Sequence, residues 1–310
     1  GKTPDVMNFF EDDSILAYAE LDTSNFSSTT EEAQFQIDVL NKKTNEELSF
    51  SVDLPQAADY GYMYIEDVEV ANNKLIIVTS GTPTKGEALQ EEKHFYTISL
   101  PNEKIEKDES LQLDLLDSQN KEIQYIELVN ATHNVYSSDY LVYRVELSDV
   151  PSDMELNEEE QKLALSTYSL IGVNVETGEQ FLIDISDEVG NQTVGNLISM
   201  EDNTLYFHEK NTEGVNVYAY SLAEKELGKV SITDLTETQI AALKDDVTMT
   251  VQNGTAIFIN TYKKAWENQQ IIAFDLESGK SVLEGSIEET TKRTTSKTEL
   301  YLYDVIYQQE

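Results

Sequence analysis

The chain has 310 residues, 39% of them hydrophobic and 26% charged, enough for a substantial folded core. Fifty-nine acidic residues against 21 Lys and Arg give a net charge of −38, which argues against nucleic acid and anionic lipid as partners and favours cations or basic surfaces, or serves solubility by preventing self-association. No cysteine is present, so disulfides, thiolate metal sites and cysteine nucleophiles are excluded together, and no run approaches the roughly 20 apolar residues of a membrane helix.

In chain order the sequence reads as a succession of short hairpins. Val6 to Leu16 turns through Asp12-Asp13, and Phe35–Leu40 returns through Asn41–Asn45 to Leu48–Val52. Asp67–Val70 passes through Asn72-Asn73 into Leu75–Val78. Phe95–Leu100 turns at Pro101–Glu103, with Leu111–Leu113 as the expected closing strand. Val135 to Val145 turns through Ser138-Asp139, and an insertion follows over Ser148 to Ser166, whose Leu156–Leu165 predicts a short helix. Beyond it Ile171–Val175, the turn Glu176–Glu179 and Phe181–Ile185 form the clearest hairpin. Leu197–Met200 and Leu205–Phe207 flank Glu201-Asp202-Asn203, and Val217–Leu222 is followed by a loop ending at Gly228-Lys229 and by Val230–Ile232. Thr236 and Gln239 make a capping box for a short helix to Lys244. Met249–Val251, Asn253-Gly254 and Ala256–Ile259 form one more hairpin, and Ile271–Leu276, Glu277–Lys280 and Val282-Leu283 another. Alternating apolar residues around Asn-, Asp- and Gly-bearing turns are hairpin chemistry.

Paired hairpins of two kinds recur about five times, the later ones at roughly 45 to 55 residues, the spacing of propeller blades. Val173 to Glu179 and Ala273 to Lys280 share a hydrophobic-x-hydrophobic strand, a D/N/S position and a T/S-G-K/E turn, with a degenerate copy over Tyr218 to Lys229. In this the chain resembles the broad class of bacterial β-propellers. The Trp-Asp signature of WD40 repeats and the glycine pairs of kelch repeats are missing. The resemblance implies an all-β propeller of four-stranded antiparallel blades with one or two short inserted helices, as a single domain over 1–310. Such blades are stable only when stacked, because a lone sheet buries too little. The stretch Leu300–Tyr307 resembles Tyr62–Val68. If it completes the first blade the count is five; otherwise it begins a sixth.

No Walker loop, GxGxxG, GxSxG or EF-hand loop occurs, and His94, His133 and His208 lie far apart. Five-bladed propellers include glycosidases with two or three carboxylates round a central channel, and the candidates for such a role here are Asp67, Glu127, Asp246 and Asp304, on or beside predicted inner strands. Asp12, Asp13, Asp202 and Asp245 stand in acidic doublets that offer oxygen ligands to Ca²⁺, although none forms a dedicated loop. For partner binding the sequence singles out Trp266, beside Lys263 and Lys264, and Tyr62 and Tyr64, which alternate on one strand face. A start at Gly1-Lys2-Thr3-Pro4 without methionine suggests removal of an export signal or lipid anchor. The expectation is therefore a monomeric, extracellular or envelope-attached propeller that binds a protein or glycan partner and inserts no segment of its own into a membrane. The alternative is a carbohydrate-active enzyme.

Overall fold

In a computed structural model the described residues are 8–22, 33–84, 91–116, 121–129, 139–149, 166–196, 198–233, 235–243, 247–259 and 269–287. The expected Leu156–Leu165 helix, Trp266, Asp245, Asp246, Asp304 and the Leu300–Tyr307 strand lie outside them.

Among the described residues twenty strands pair into five antiparallel sheets of four, each a meander in chain order. The first contains β1 (Phe9–Glu11), β2 (Ile15–Asp22), β3 (Ala33–Asn41) and β4 (Glu46–Leu54). The second contains β5 (Tyr60–Ala71), β6 (Lys74–Pro83), β7 (Glu92–Ser99) and β8 (Lys104–Ser110), and the third β9 (Glu122–Leu128), β10 (Tyr140–Ser148), β11 (Ser166–Asn174) and β12 (Gln180–Ile183). The fourth contains β13 (Ser199–Glu201), β14 (Thr204–Lys210), β15 (Val215–Ser221) and β16 (Glu226–Ile232), and the fifth β17 (Thr248–Gln252), β18 (Thr255–Ile259), β19 (Gln269–Asp275) and β20 (Ser281–Ile287). Short helices are α1 (Ser186–Val189), α2 (Asn191–Gly195) and α3 (Glu237–Ala242). Five four-stranded meanders are the blades of a β-propeller.

Two compact units divide these blades. One comprises Gly1–Ser166 with Leu170–Leu182, the other Thr167–Ser169 with Ile183–Glu310. In the first, Phe35 and Ile37 of β3 pack with Met63, Ile65, Val68, Ile77 and Tyr96 of the second sheet. The reverse face of that second sheet, through Ile76, Val78 and Phe95, packs with Leu141, Tyr143 and Val145 of β10. In the second unit Val215, Val217, Met249, Val251, Phe258 and Phe274 form the corresponding core. The second and fifth blades thus bury apolar side chains on both faces, which explains middle strands such as β18 that are buried at every residue, whereas β2 and β3 of the first blade alternate.

The turns between third and fourth strands share one design. Asn41, Ser99, Asn174, Ser221 and Asp275 each accept, on a side-chain oxygen, the backbone N–H three residues on, at 2.7–3.3 Å. The next N–H donates to their own carbonyl at 2.8–2.9 Å, and that fifth residue is left-handed. Gly178 and Gly279 hold this place in the two turns that match the sequence motif, whereas Asn45, Glu103 and Lys225 hold it in the others with φ of 56°, 52° and 56°. Asn72-Asn73 and Asn253-Gly254 have φ > 0 at both residues, the tight two-residue hairpin turn that their sequence predicts. The expected capping box is present: Thr236 N–H donates to Gln239 and Gln239 N–H to the Thr236 hydroxyl, at 2.9 and 3.2 Å.

Three expectations need correction. The strand closing the second blade is Lys104–Ser110 rather than Leu111–Leu113, because an outer strand wet on most of its length carries Lys, Glu and Asp. The partner of β10 is Glu122–Leu128 and not a segment near Val135; a register shift between Tyr125 and Ile123 breaks the alternation that would have marked it. Gly228 and Lys229 lie inside β16, opposite Ala219 and Tyr218, and the turn comes earlier, ending at Lys225.

Candidate functional site

Strand β5 pairs with β6 out of step at Glu66: Ile65 lies opposite Thr79, and Asp67 opposite Val78. Such a bulge puts one extra residue on the strand and reverses its parity. Met63 and Ile65 before it and Val68 after it therefore all belong to the core shared with the first blade. Glu66, Asp67 and Glu69 carry the charge of the opposite face, which meets the third blade.

One buried cation answers these acids. Lys93 of β7 is 2% exposed and sits 2.8 Å from Glu66, 3.1 Å from the Ser80 hydroxyl and 3.5 Å from Glu91. Its ammonium thus donates two hydrogen bonds and has a second carboxylate at ion-pair distance, which compensates its burial. Tyr143 of β10 donates to the other oxygen of Glu66 at 3.4 Å. Burial holds the Glu66 carboxyl above the usual range, with Lys93 opposing. Asp67 is pushed up to about 7, chiefly by burial and further by the charge of Glu66. Glu69, 7% exposed, is pushed up to about 9 by burial and by the charges of Asp67 and Asp139.

Tyrosines border this cluster. Tyr62 is 64% exposed, with its ring centroid 5.7 Å from that of Tyr64 and the planes at 43°. The Tyr64 hydroxyl donates to Glu91 at 3.2 Å, and burial pushes its own ionisation up to about 12. Tyr125 of β9 is 56% exposed; burial raises its ionisation, and the charges of Glu127, Glu91 and Glu66 add to the rise. Tyr125, opposite Glu146, lies on the face of the third blade that carries Glu127 and Arg144. Glu91 receives Tyr64, Ser80 and Lys93 on one oxygen, Oε1, and its second oxygen has no partner among the described residues.

Of the residues singled out from sequence, Asp67, Tyr62 and Tyr64 come together here. Glu127 is the cross-strand partner of Arg144 and pairs with it. Asp12 accepts the N–H groups of Ser14 and Ile15 at 2.6 and 2.7 Å, Asp13 is exposed in the same turn, and Asp202 takes the left-handed position of the β13–β14 turn. Among the described residues no three His, Asp or Glu side chains are arranged to hold a metal. Sequence reasoning missed Glu66, Lys93, Glu91, Tyr125 and Tyr143. One signal for Lys93 existed: it shares parity with Phe95 on a strand buried on both faces. The other face of the same blade carries a second polar group, in which the Tyr60 hydroxyl meets Glu92 at 2.7 Å and His94 at 2.6 Å, and His94 meets Asp108 at 3.2 Å.

The described residues form five four-stranded blades, and the protein is a β-propeller. No protein-family model and no curated protein matches the sequence. Solved structures similar to it include TolB from Acinetobacter baumannii (10% identity, TM-score 0.29, 86% of this chain and 57% of that one). The Dos1 propeller is similar at 10% identity and a TM-score of 0.36, over 85% of this chain and 57% of that one. A Trypanosoma rangeli sialidase mutant is similar at 11% identity and 0.38, over 91% and 48%. The chain thus spans about half the length of these structures, and its fold rests on the strand pairing described above.

Proposed function

We propose that this propeller is a non-enzymatic, extracellular or surface-attached binding module that engages a protein or glycan partner through the tyrosine ledge of Tyr62 and Tyr64, with Tyr125 as a separate exposed ring. The observation that carries the reading is the Tyr62 ring, 64% exposed and 5.7 Å from the Tyr64 ring that Glu91 holds by a hydrogen bond. Aromatic rings are enriched among the anchors of protein interfaces. Glu66 is engaged on both oxygens by Lys93 and Tyr143, which supports a positioning role in place of proton transfer.

A second reading, a carbohydrate-active enzyme, is favoured by one feature: Glu66 and Asp67 are adjacent carboxyl groups, both raised by burial. Quantitative retention of envelope extract and soluble polysaccharide on the immobilised protein, beside Y62A/Y125A, decides between them. A saturable partner that resists high salt and is lost with the double variant is the expected result. Equal retention by both proteins would remove the ledge from the binding reading. Hydrolysis of polysaccharide abolished by E66Q or D67N would establish the enzyme.

A further inference from the structure

The face of the second blade opposite Lys93 holds a buried polar chain that the tyrosine ledge does not use. Tyr60 is the first residue of β5 and Glu92 the first of β7, with β6 between them. The Tyr60 side chain crosses β6 at Gly81, where a Cβ would lie 2.8 Å from its ring. Its hydroxyl donates to Glu92 at 2.7 Å and stands 2.6 Å from Nε2 of His94. Nδ1 of His94 lies 3.2 Å from Asp108 of β8. The other Asp108 oxygen accepts the side-chain amide of Gln56, in the 3₁₀ turn Pro55–Asp59 that joins the first two blades. Among the described residues the titratable groups around His94 are Tyr60, Glu92, Tyr96 and Asp108. The first blade meets them with apolar residues such as Phe35, 5.3 Å from Tyr96.

A hydroxyl has one proton to give, and so has a neutral imidazole. Three contacts stand in series: Tyr60 to Glu92, Nε2 of His94 to Tyr60, and Nδ1 of His94 to Asp108. All three are hydrogen bonds only when His94 carries two protons. Burial, with Glu92 adding, holds the Tyr60 phenol protonated, so it remains the donor. We infer that Tyr60, Glu92, His94 and Asp108 form a proton-operated clasp, closed by the imidazolium of His94 and opened at Glu92 when one proton leaves. The positive charge lies between two carboxylates, Glu92 at 3.4 Å from Nε2 and Asp108 at 3.2 Å from Nδ1. The departing proton comes from Nε2, because a bare Nδ1 would turn its lone pair on the Asp108 carboxylate. Nε2 then accepts the Tyr60 hydroxyl, which leaves Glu92, and the Glu92 side chain, 48% exposed, passes to water. Asp108 keeps its bond to Nδ1, so the outer strand stays attached while the tie between the first residues of β5 and β7 is released. That tie lies two residues from the exposed Tyr62 ring, yet the clasp stands whatever that ring binds.

The test is NMR of the full chain with nitrogen-labelled histidine and carbon-labelled glutamate side chains, titrated from about pH 5 to 9. Spectra of H94Q and E92Q assign the two signals. Both nitrogens of His94 should carry protons at the acid end. On raising the pH, one step should remove the proton from Nε2 and leave Nδ1–H, and the Glu92 carboxyl signal should move at the same midpoint. Y60F keeps the ring and removes the bridge, so the Glu92 response at that midpoint should be lost while His94 still titrates. D108A removes the acceptor at Nδ1, and the neutral ring should then change to Nε2–H. Thermal melts confirm the folding of both variants, and the wild-type tautomer decides the matter if either fails to fold. A neutral His94 protonated at Nε2 in wild type, or a Glu92 signal that ignores the His94 step, overturns the inference. So does a Glu92 response that persists unchanged in Y60F, or a neutral ring that keeps Nδ1–H in D108A.

Discussion

Replacing Lys93 with methionine keeps the length of the side chain and removes the only cation within reach of Glu66 among the described residues. Breaking a buried pair in this way costs about 3–5 kcal/mol, because the surviving carboxylate is left in a poorly polarisable interior. Glu66 retains only the Tyr143 hydroxyl, at 3.4 Å. For 310 residues unfolding as one, at about 2.1 cal/mol/K each, the unfolding entropy is about 0.65 kcal/mol/K, so Tm should fall by about 5–8 °C. The loss should be largest at pH 8 and shrink on acidification. Burial already raises the Glu66 carboxyl and Lys93 holds it down, so without Lys93 it takes up a proton more readily and becomes neutral. The double variant K93M/E66L removes both charges and should recover about 2–3 kcal/mol over the single one. Differential scanning calorimetry at pH 5 and 8 on wild type, K93M and the double variant reads all of this. A single variant as stable as wild type, or a double variant no better than the single, would refute the view that Lys93 neutralises Glu66.

Stability should also depend on pH with two opposing limbs. Asp67 and Glu69 titrate at about 7 and 9 when folded, far above unfolded carboxyls, so the native state binds more protons and stability falls as pH rises from about 4 through 7 and 9. D67N and E69Q should flatten that limb in urea titrations across pH. His208 is depressed to about 4 by burial, with Lys210 adding, so its contribution is present above about 6.5 and lost as pH falls towards 4; H208L should remove that acid limb. At the shared blade turn, Glu103→Gly and Lys225→Gly should each raise stability by up to about 1 kcal/mol by relieving a left-handed non-glycine residue. Gly279→Ala, with no atom within 4 Å of the added Cβ, should lower it by about 1–2 kcal/mol through backbone strain alone. Urea midpoints check all three, and opposite signs at Gly279 and Glu103 are the essential outcome.

Local chemistry made much of the architecture legible in the sequence. Asn72-Asn73 and Asn253-Gly254 specify their turns because few other residues tolerate two successive positive φ angles. Thr236 and Gln239 specify a helix start because each satisfies the other's backbone. Alternation located the strands wherever one repeat unit was regular, and it failed at β8, whose surface is charged, and at β9, where a register shift reverses parity. The same physics hid the candidate site. The bulge at Glu66 turns Glu66, Asp67 and Glu69 toward one face, and a pattern of period two cannot show that before the strands are paired. Composition alone determined that this surface repels anions, whereas only tertiary packing decided which of 59 acids lie buried together. Lys93 and Tyr143 reach Glu66 from another strand and another blade, so their association is a property of stacked sheets and not of any one segment.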